Sequence, residues 1–124
     1  MKGNDEVIQL LNEVLTSELT AINQYFIHSK MCEDWGFQRL AARKREESIE
    51  EMKHADAVIA RILFLEGVPN MQRYFPVKVG EDAVEQHKLD LELELVYGHC
   101  WGRGTTSSQG EVRIDPGQIG KRKV

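Results

Sequence analysis

Apolar residues recur at steps of three and four along the first part of the chain. Val7, Leu11, Val14, Leu15, Leu19, Ile22, Tyr25, Phe26 and Ser29 fall on one face of a helix, with Asn4 or Asp5 placed to cap its start. A second periodic run extends from about Arg39 through Ala55, Val58, Ile62 and Leu65. It stops at Gly67-Val68-Pro69, the glycine-then-proline punctuation of a helix end. Each helix spans about 28 residues, roughly 42 Å at the helical rise. Only a short turn around Asp34-Trp35-Gly36 separates them, so the pair must fold back as an antiparallel hairpin. Helices this long in a chain of 124 residues imply an all-α bundle.

The third segment carries two signals. Leu89-Asp90-Leu91-Glu92-Leu93-Glu94-Leu95 alternates strictly, the pattern of a half-buried strand. Leu and Glu nevertheless favour helix over strand, and Val84, Leu91 and Leu95 fit a helical stripe starting near Gly80-Glu81-Asp82. A helix is the favoured reading. No internal repeat is evident.

Composition adds a boundary. With 41% hydrophobic and 29% charged residues the chain has the make-up of one soluble domain. Residues 1–97 carry 11 basic and 18 acidic side chains, whereas residues 98–124 carry 5 and 2. Six of the ten glycines lie in that second stretch, beside Thr105-Thr106-Ser107-Ser108, which reads as loop or disorder. The expected division is therefore a helical domain over 1–97 and an irregular, basic tail over 98–124. A net charge of -4 with interleaved signs speaks against nucleic acid as a partner. The longest apolar runs are a few residues, far short of the roughly 18 a membrane span needs. Two cysteines are too few for a disulfide scaffold, and the start of the chain is unlike a signal peptide, so a cytoplasmic protein with reduced thiols is expected. His99, Cys100 and Cys32 match no recognised metal spacing.

Acidic residues interrupt the stripes where apolar ones are expected. Glu18 lies in the core row of the first helix between Leu15 and Ile22, and Glu47, Glu51 and His54 lie in the row of the second. A carboxylate inside an apolar bundle is costly unless protonated, paired or bound to a metal. Glu18 is 18 residues before Gly36 and His54 is 18 after it, so the hairpin sets them at one height; Tyr25 and Glu47, each 11 residues from Gly36, share the next layer. A Glu from one helix and a Glu-x-x-His pair from its neighbour suit a metal of hard or borderline character. The competing reading is that Glu18 is exposed or paired with a base, and that Glu51 belongs to the charge run from Arg43 to Lys53. Met52 lies about 100° round from Glu51, on a second apolar stripe with Ile49, Ile59 and Leu63. That stripe is either a plain packing contact or a thioether offered to a haem iron.

Three blocks taken together resemble the bacterioferritin family: Glu18-Leu19-Thr20-Ala21-Ile22-Asn23-Gln24-Tyr25-Phe26, Glu47-Ser48-Ile49-Glu50-Glu51-Met52-Lys53-His54-Ala55-Asp56, and Ile62-Leu63-Phe64-Leu65-Glu66-Gly67-Val68-Pro69-Asn70. The resemblance runs from Met1 to about Leu95. Ferritin-like di-iron bundles draw a Glu from each of two helices and a Glu-x-x-His from each of the other two. The resemblance implies a ferritin-like four-helix-bundle fold, represented here by the first hairpin and the start of a third helix. It implies storage of iron, with oxidation of Fe(II) to Fe(III) by dioxygen or peroxide at a di-iron centre, and a twenty-four-subunit shell built from twofold dimers. Glu18, Glu51 and His54 would ligate one iron, Glu51 bridging to the second and Glu94 serving that second iron, with Tyr25 as a redox or hydrogen-bonding neighbour. Met52 matches the family's haem ligand, two copies clasping one haem b across the dimer. Arg45 and Glu46 stand where the family more often has an aromatic and a histidine.

From about Val96 the sequence departs from the family, and Glu51 to His54 is the single Glu-x-x-His in the chain. The expectation is an out-of-frame or replaced C-terminal part. The rival to an iron-oxidising subunit is a non-catalytic one that acts only as an assembly or haem-binding partner of a complete subunit.

Overall fold

In the computed structural model, which describes residues 2–97, three helices follow in order: α1 (Asp5–Asp34), α2 (Gln38–Phe64) and α3 (Ala83–Tyr97). Asn4 caps α1 by accepting the Glu6 and Val7 amides on its side-chain oxygen. These are two of the donors that every helix start leaves without an intrahelical partner. α1 closes with paired turn bonds, Gly36 N–H to Glu33 O and Phe37 N–H to Cys32 O. That closure needs a left-handed residue, and Gly36 supplies it at φ 88°.

The same closure recurs at the end of α2, where Glu66 N–H reaches Leu63 O and Gly67 N–H reaches Ile62 O. Here the left-handed residue is Glu66, at φ 65°, not the glycine that follows. Gly67 is required for a different reason. A Cβ at this position would lie 2.8 Å from Ile8 Cγ2 and 3.2 Å from Ile62 Cγ2, so the glycine lets the strand of chain leaving α2 press against the start of α1.

The hairpin is antiparallel and encloses Leu15, Leu19, Ala55, Val58 and Ile62, flanked by Ile8, Leu11, Val14, Ile22 and Ile59. Val7 and Phe26, placed on the core face by periodicity, are each 44% exposed. They sit at the margins of an apolar arc wider than the contact that α2 and α3 make with it.

The 18 residues between α2 and α3 contain no helix or strand and return alongside α1. Their backbone is bonded by α1 side chains in succession: Asn12 Oδ1 accepts the Asn70 amide, Thr20 Oγ1 the Phe75 amide, Gln24 Oε1 the Lys78 amide and His28 Nε2 the Gly80 amide. A polar row on α1 thus satisfies donors that an extended segment could otherwise bond only to water or a neighbouring strand. This single long crossover makes α3 antiparallel to α1 and parallel to α2, the connectivity of bundles with one crossover.

The third segment is helical, as its residue types favoured, but its buried stripe is not the expected one. Val84 and Leu95 are 66% and 84% exposed, Leu91 is half-buried, and the inward face is Gln86, Asp90 and Leu93. Two of those three are polar, so hydropathy pointed to the wrong side. Leu93 packs with Ala21 and Tyr25, and the Tyr97 ring stacks on Phe75 at 4.4 Å. Residues 98–124, including His99 and Cys100, lie outside the described residues, so the expected division at Gly98 falls at their edge.

Candidate metal centre

The equal spacing of Glu18 and His54 from the turn at Gly36 places them opposite one another. His54 Nδ1 is 3.7 Å from Glu18 Oε1 and 3.3 Å from Glu51 Oε1, the latter one turn back along α2. Glu18 and Glu51 are 2% and 3% exposed, and His54 is half-buried. One ligand atom from each lies within 4.8 Å of the others. Two carboxylate oxygens and an imidazole nitrogen converging inside a bundle form a donor set that fits a divalent first-row metal such as iron. The burial supplies a second argument, since a cation offsets the desolvation of two neighbouring carboxylates.

The next layer toward the turn contains Tyr25. Its phenol is 2% exposed and donates to Glu94 Oε2 on α3 at 3.2 Å. Burial first, then the negative charges of Glu94, Glu47, Asp90 and Glu51, push its ionisation well above the ordinary tyrosine range. Tyr25 is therefore a protonated donor. Glu94 meets Tyr25 and stands outside the Glu18, Glu51 and His54 group.

One layer further lies a polar cluster that the hydropathy pattern did not reveal. Asp90 accepts from Lys44 Nζ at 2.8 Å and from Gln24 Nε2 at 3.0 Å, and its Oδ1 is 2.9 Å from His28 Nδ1. Gln86, one turn before Asp90, accepts from Cys32 Sγ and donates to Gly80 O. Burial alone would raise the Asp90 carboxyl; the hydrogen bond from His28 and the Lys44 charge outweigh it and leave the group below its ordinary value. The one legible trace of this cluster is that Lys44, Glu47, Glu51 and His54 fall on successive turns of one α2 face.

Met52 faces away from the centre. It is 54% exposed on the outer side of α2, a helix on which Ile49 and Leu63 are exposed as well. Among the described residues no helix is long and apolar enough to cross a membrane.

Residues 8–97 match the family model described as "Ferritin-like domain". Over 94 residues the chain is 56% identical to a bacterioferritin of Mycolicibacterium paratuberculosis and 57% identical to one of Mycobacterium leprae, in each case 76% of this chain and 59% of the relative. A bacterioferritin of Rhodobacter capsulatus is 56% identical over the same length, 58% of that protein. The chain thus spans somewhat under two thirds of the length of these relatives. The matched region contains α2, α3, all but the first three residues of α1 and every residue of the buried acidic centre, and on that basis the chain belongs to the ferritin-like family, with bacterioferritins among its relatives.

Proposed function

We propose that this chain is an iron-storage subunit of bacterioferritin type that oxidises Fe(II) to Fe(III). The observation that carries the proposal is the convergence of Glu18, Glu51 and His54, with ligand atoms within 4.8 Å inside the bundle. Iron is here the substrate; a pair of Fe(II) ions supplies the electrons that reduce dioxygen or peroxide. Glu18, Glu51 and His54 would hold one iron, with Glu51 shared with a second ion that Glu94 would serve. Carboxylates suit both oxidation states, since they tolerate rising charge and can change the number of oxygens they offer. Tyr25 keeps its proton and, by donating to Glu94, orients that carboxylate beside the centre.

The outer face of α2 supports the finer part of the reading. Met52 would supply its thioether to haem b, two copies acting across a twofold dimer, and such dimers would build the twenty-four-subunit shell in the cytoplasm. Residues 1–97 would be the working domain, with 98–124 a separate segment whose coding frame, read in the two alternatives beyond codon 94, should reveal a second Glu-x-x-His if that part has been replaced. The test is anaerobic Fe(II) titration of the full chain followed by air, with Glu51→Gln alongside. Stoichiometric binding and rapid oxidation in the wild type, lost in the variant, are expected; equal behaviour of the two chains would overturn the proposal.

A second reading is favoured by one observation, the single Glu-x-x-His in 124 residues. In it the chain is non-catalytic and contributes assembly or haem contacts to a complete subunit. Co-assembly with a full-length bacterioferritin separates the two: oxidation by this chain alone supports the first, oxidation only in mixed assemblies the second.

A further inference from the structure

α3 is held where it is by a charge that crosses the bundle. No Cα of α3 comes within 8 Å of a Cα of α2, yet the Lys44 side chain of α2 reaches Asp90 Oδ2 of α3 at 2.8 Å. Lys44 is 2% exposed and Asp90 7%. The other Asp90 oxygen is fixed by α1, through Gln24 and His28. His28 has a single tautomer consistent with its neighbours. Its Nε2 accepts the Gly80 amide, so Nδ1 bears the proton and donates to Asp90. Asp90 is consequently bonded by two helices, and through His28 it is joined to the end of the crossover.

The consequence falls one turn along α3. Asp90 and Glu94 are four residues apart and share a face, and Glu94 is the acceptor of the Tyr25 phenol. A slip of α3 by one residue would move Glu94 by about 1.5 Å along the axis and rotate it by about 100°. The apolar contacts of α3 resist this weakly: among the described residues Leu93 is its one buried apolar side chain, and half-buried Tyr97 stacks on Phe75 of the crossover. A buried ion pair is a poor source of net stability, but setting register is its best attested use.

We propose that Lys44 and Asp90 are positioning residues that lock the register of α3 and so deliver Glu94 to Tyr25 beside the acidic centre, whether or not metal is bound. The value of Glu94 there rests on the metal reading above, whereas the locking itself does not. Lys44 acts as a resident cation two layers from the centre, which leaves the third helix seated before any iron arrives.

The test uses the full, metal-free chain and the ultraviolet resonance Raman signal of Tyr25, isolated by subtracting the spectrum of Tyr25→Phe. Glu94→Leu defines the spectrum of a phenol that has lost its acceptor. Lys44→Met is expected to shift Tyr25 to that spectrum with helical content retained, while Lys44→Arg keeps the wild-type one. Because Lys44→Met leaves a carboxylate buried without its ammonium, Lys44→Met/Asp90→Asn is measured beside it and is expected to show the same shift. A wild-type Tyr25 spectrum in the double variant overturns the proposal, as does loss of helical content in both variants, which would make the pair a folding element only. Co(II) titration is the separate readout: about tenfold weaker binding in Lys44→Met is expected for a residue acting behind a ligand. Absence of Co(II) binding by the wild type would overturn the metal reading, with the Raman comparison still deciding the register.

Discussion

The Tyr25 phenol of α1 donates to Glu94 Oε2 of α3 at 3.2 Å, joining the most buried aromatic side chain of the hairpin to an acid on the third helix. Its ionisation is raised well above the ordinary tyrosine range, first by burial and then by the surrounding carboxylates. A raised folded-state pKa means that the neutral phenol stabilises the fold at every pH below 10 and that this contribution is lost as the pH climbs toward the folded value. In a spectrophotometric alkaline titration, one tyrosine should ionise only together with loss of helix, and that late step should be missing from Tyr25→Phe. A Tyr25 that titrates reversibly in the native chain would contradict the burial.

Asp90 behaves in the opposite sense. Desolvation opposes its ionisation, but the His28 hydrogen bond and the Lys44 charge bring the folded value below 3.8. The stabilisation is therefore complete above the unfolded value and disappears as the pH falls through the folded one. Urea midpoints measured from pH 6 down to 2 should fall in the wild type more steeply than in Asp90→Asn, whose lower plateau lacks that step. Parallel acid limbs would show that Asp90 carries no linkage.

For Glu18 the expectation separates stability from binding. Two buried carboxylates around one imidazole are a liability in the metal-free chain and an asset with a cation. Glu18→Gln should unfold at or above the wild-type temperature without metal. With Co(II) at a hundred times the wild-type Kd, the wild type should gain about 2.7 kcal/mol and the variant a small part of that. Differential scanning calorimetry with and without Co(II) reads both quantities.

At the end of α2 two neighbouring substitutions should act in opposite directions. Glu66 occupies a left-handed conformation, so Glu66→Gly relieves strain of about 1 kcal/mol, provided the glutamate side chain contributes less than that. Gly67→Ala sets a methyl 2.8 Å from Ile8 Cγ2 and should destabilise the chain by about 1–3 kcal/mol. Chemical denaturation of the two variants checks the signs. A harmless Gly67→Ala would mean that α1 and α2 separate easily at this end.

Much of the hairpin was legible in the sequence, because its determinants are local. A cap at Asn4 or Asp5, the turn around Asp34-Trp35-Gly36 and the steps of three and four set two helices and their direction, and equal distances from Gly36 were enough to bring Glu18 level with His54 and Tyr25 level with Glu47. The resemblance to bacterioferritin covered the same residues and agrees with the ferritin-like match over 8–97. The inward face of α3 could not be read that way. Hydropathy assigns the buried side to Val84, Leu91 and Leu95, whereas the fold buries Gln86 and Asp90, whose desolvation is repaid by partners 46 to 66 residues distant. Lys44 gave no sign of burial for the same reason, and the crossover has no pattern of its own because α1 side chains bond its amides. Sequence by itself determined the first two helices and how they meet, through periodicity and turn chemistry that act within a few residues, and favoured the third through residue type. Only the tertiary structure decided which polar groups could be buried, since that depends on donors and acceptors that lie together only after the chain has folded.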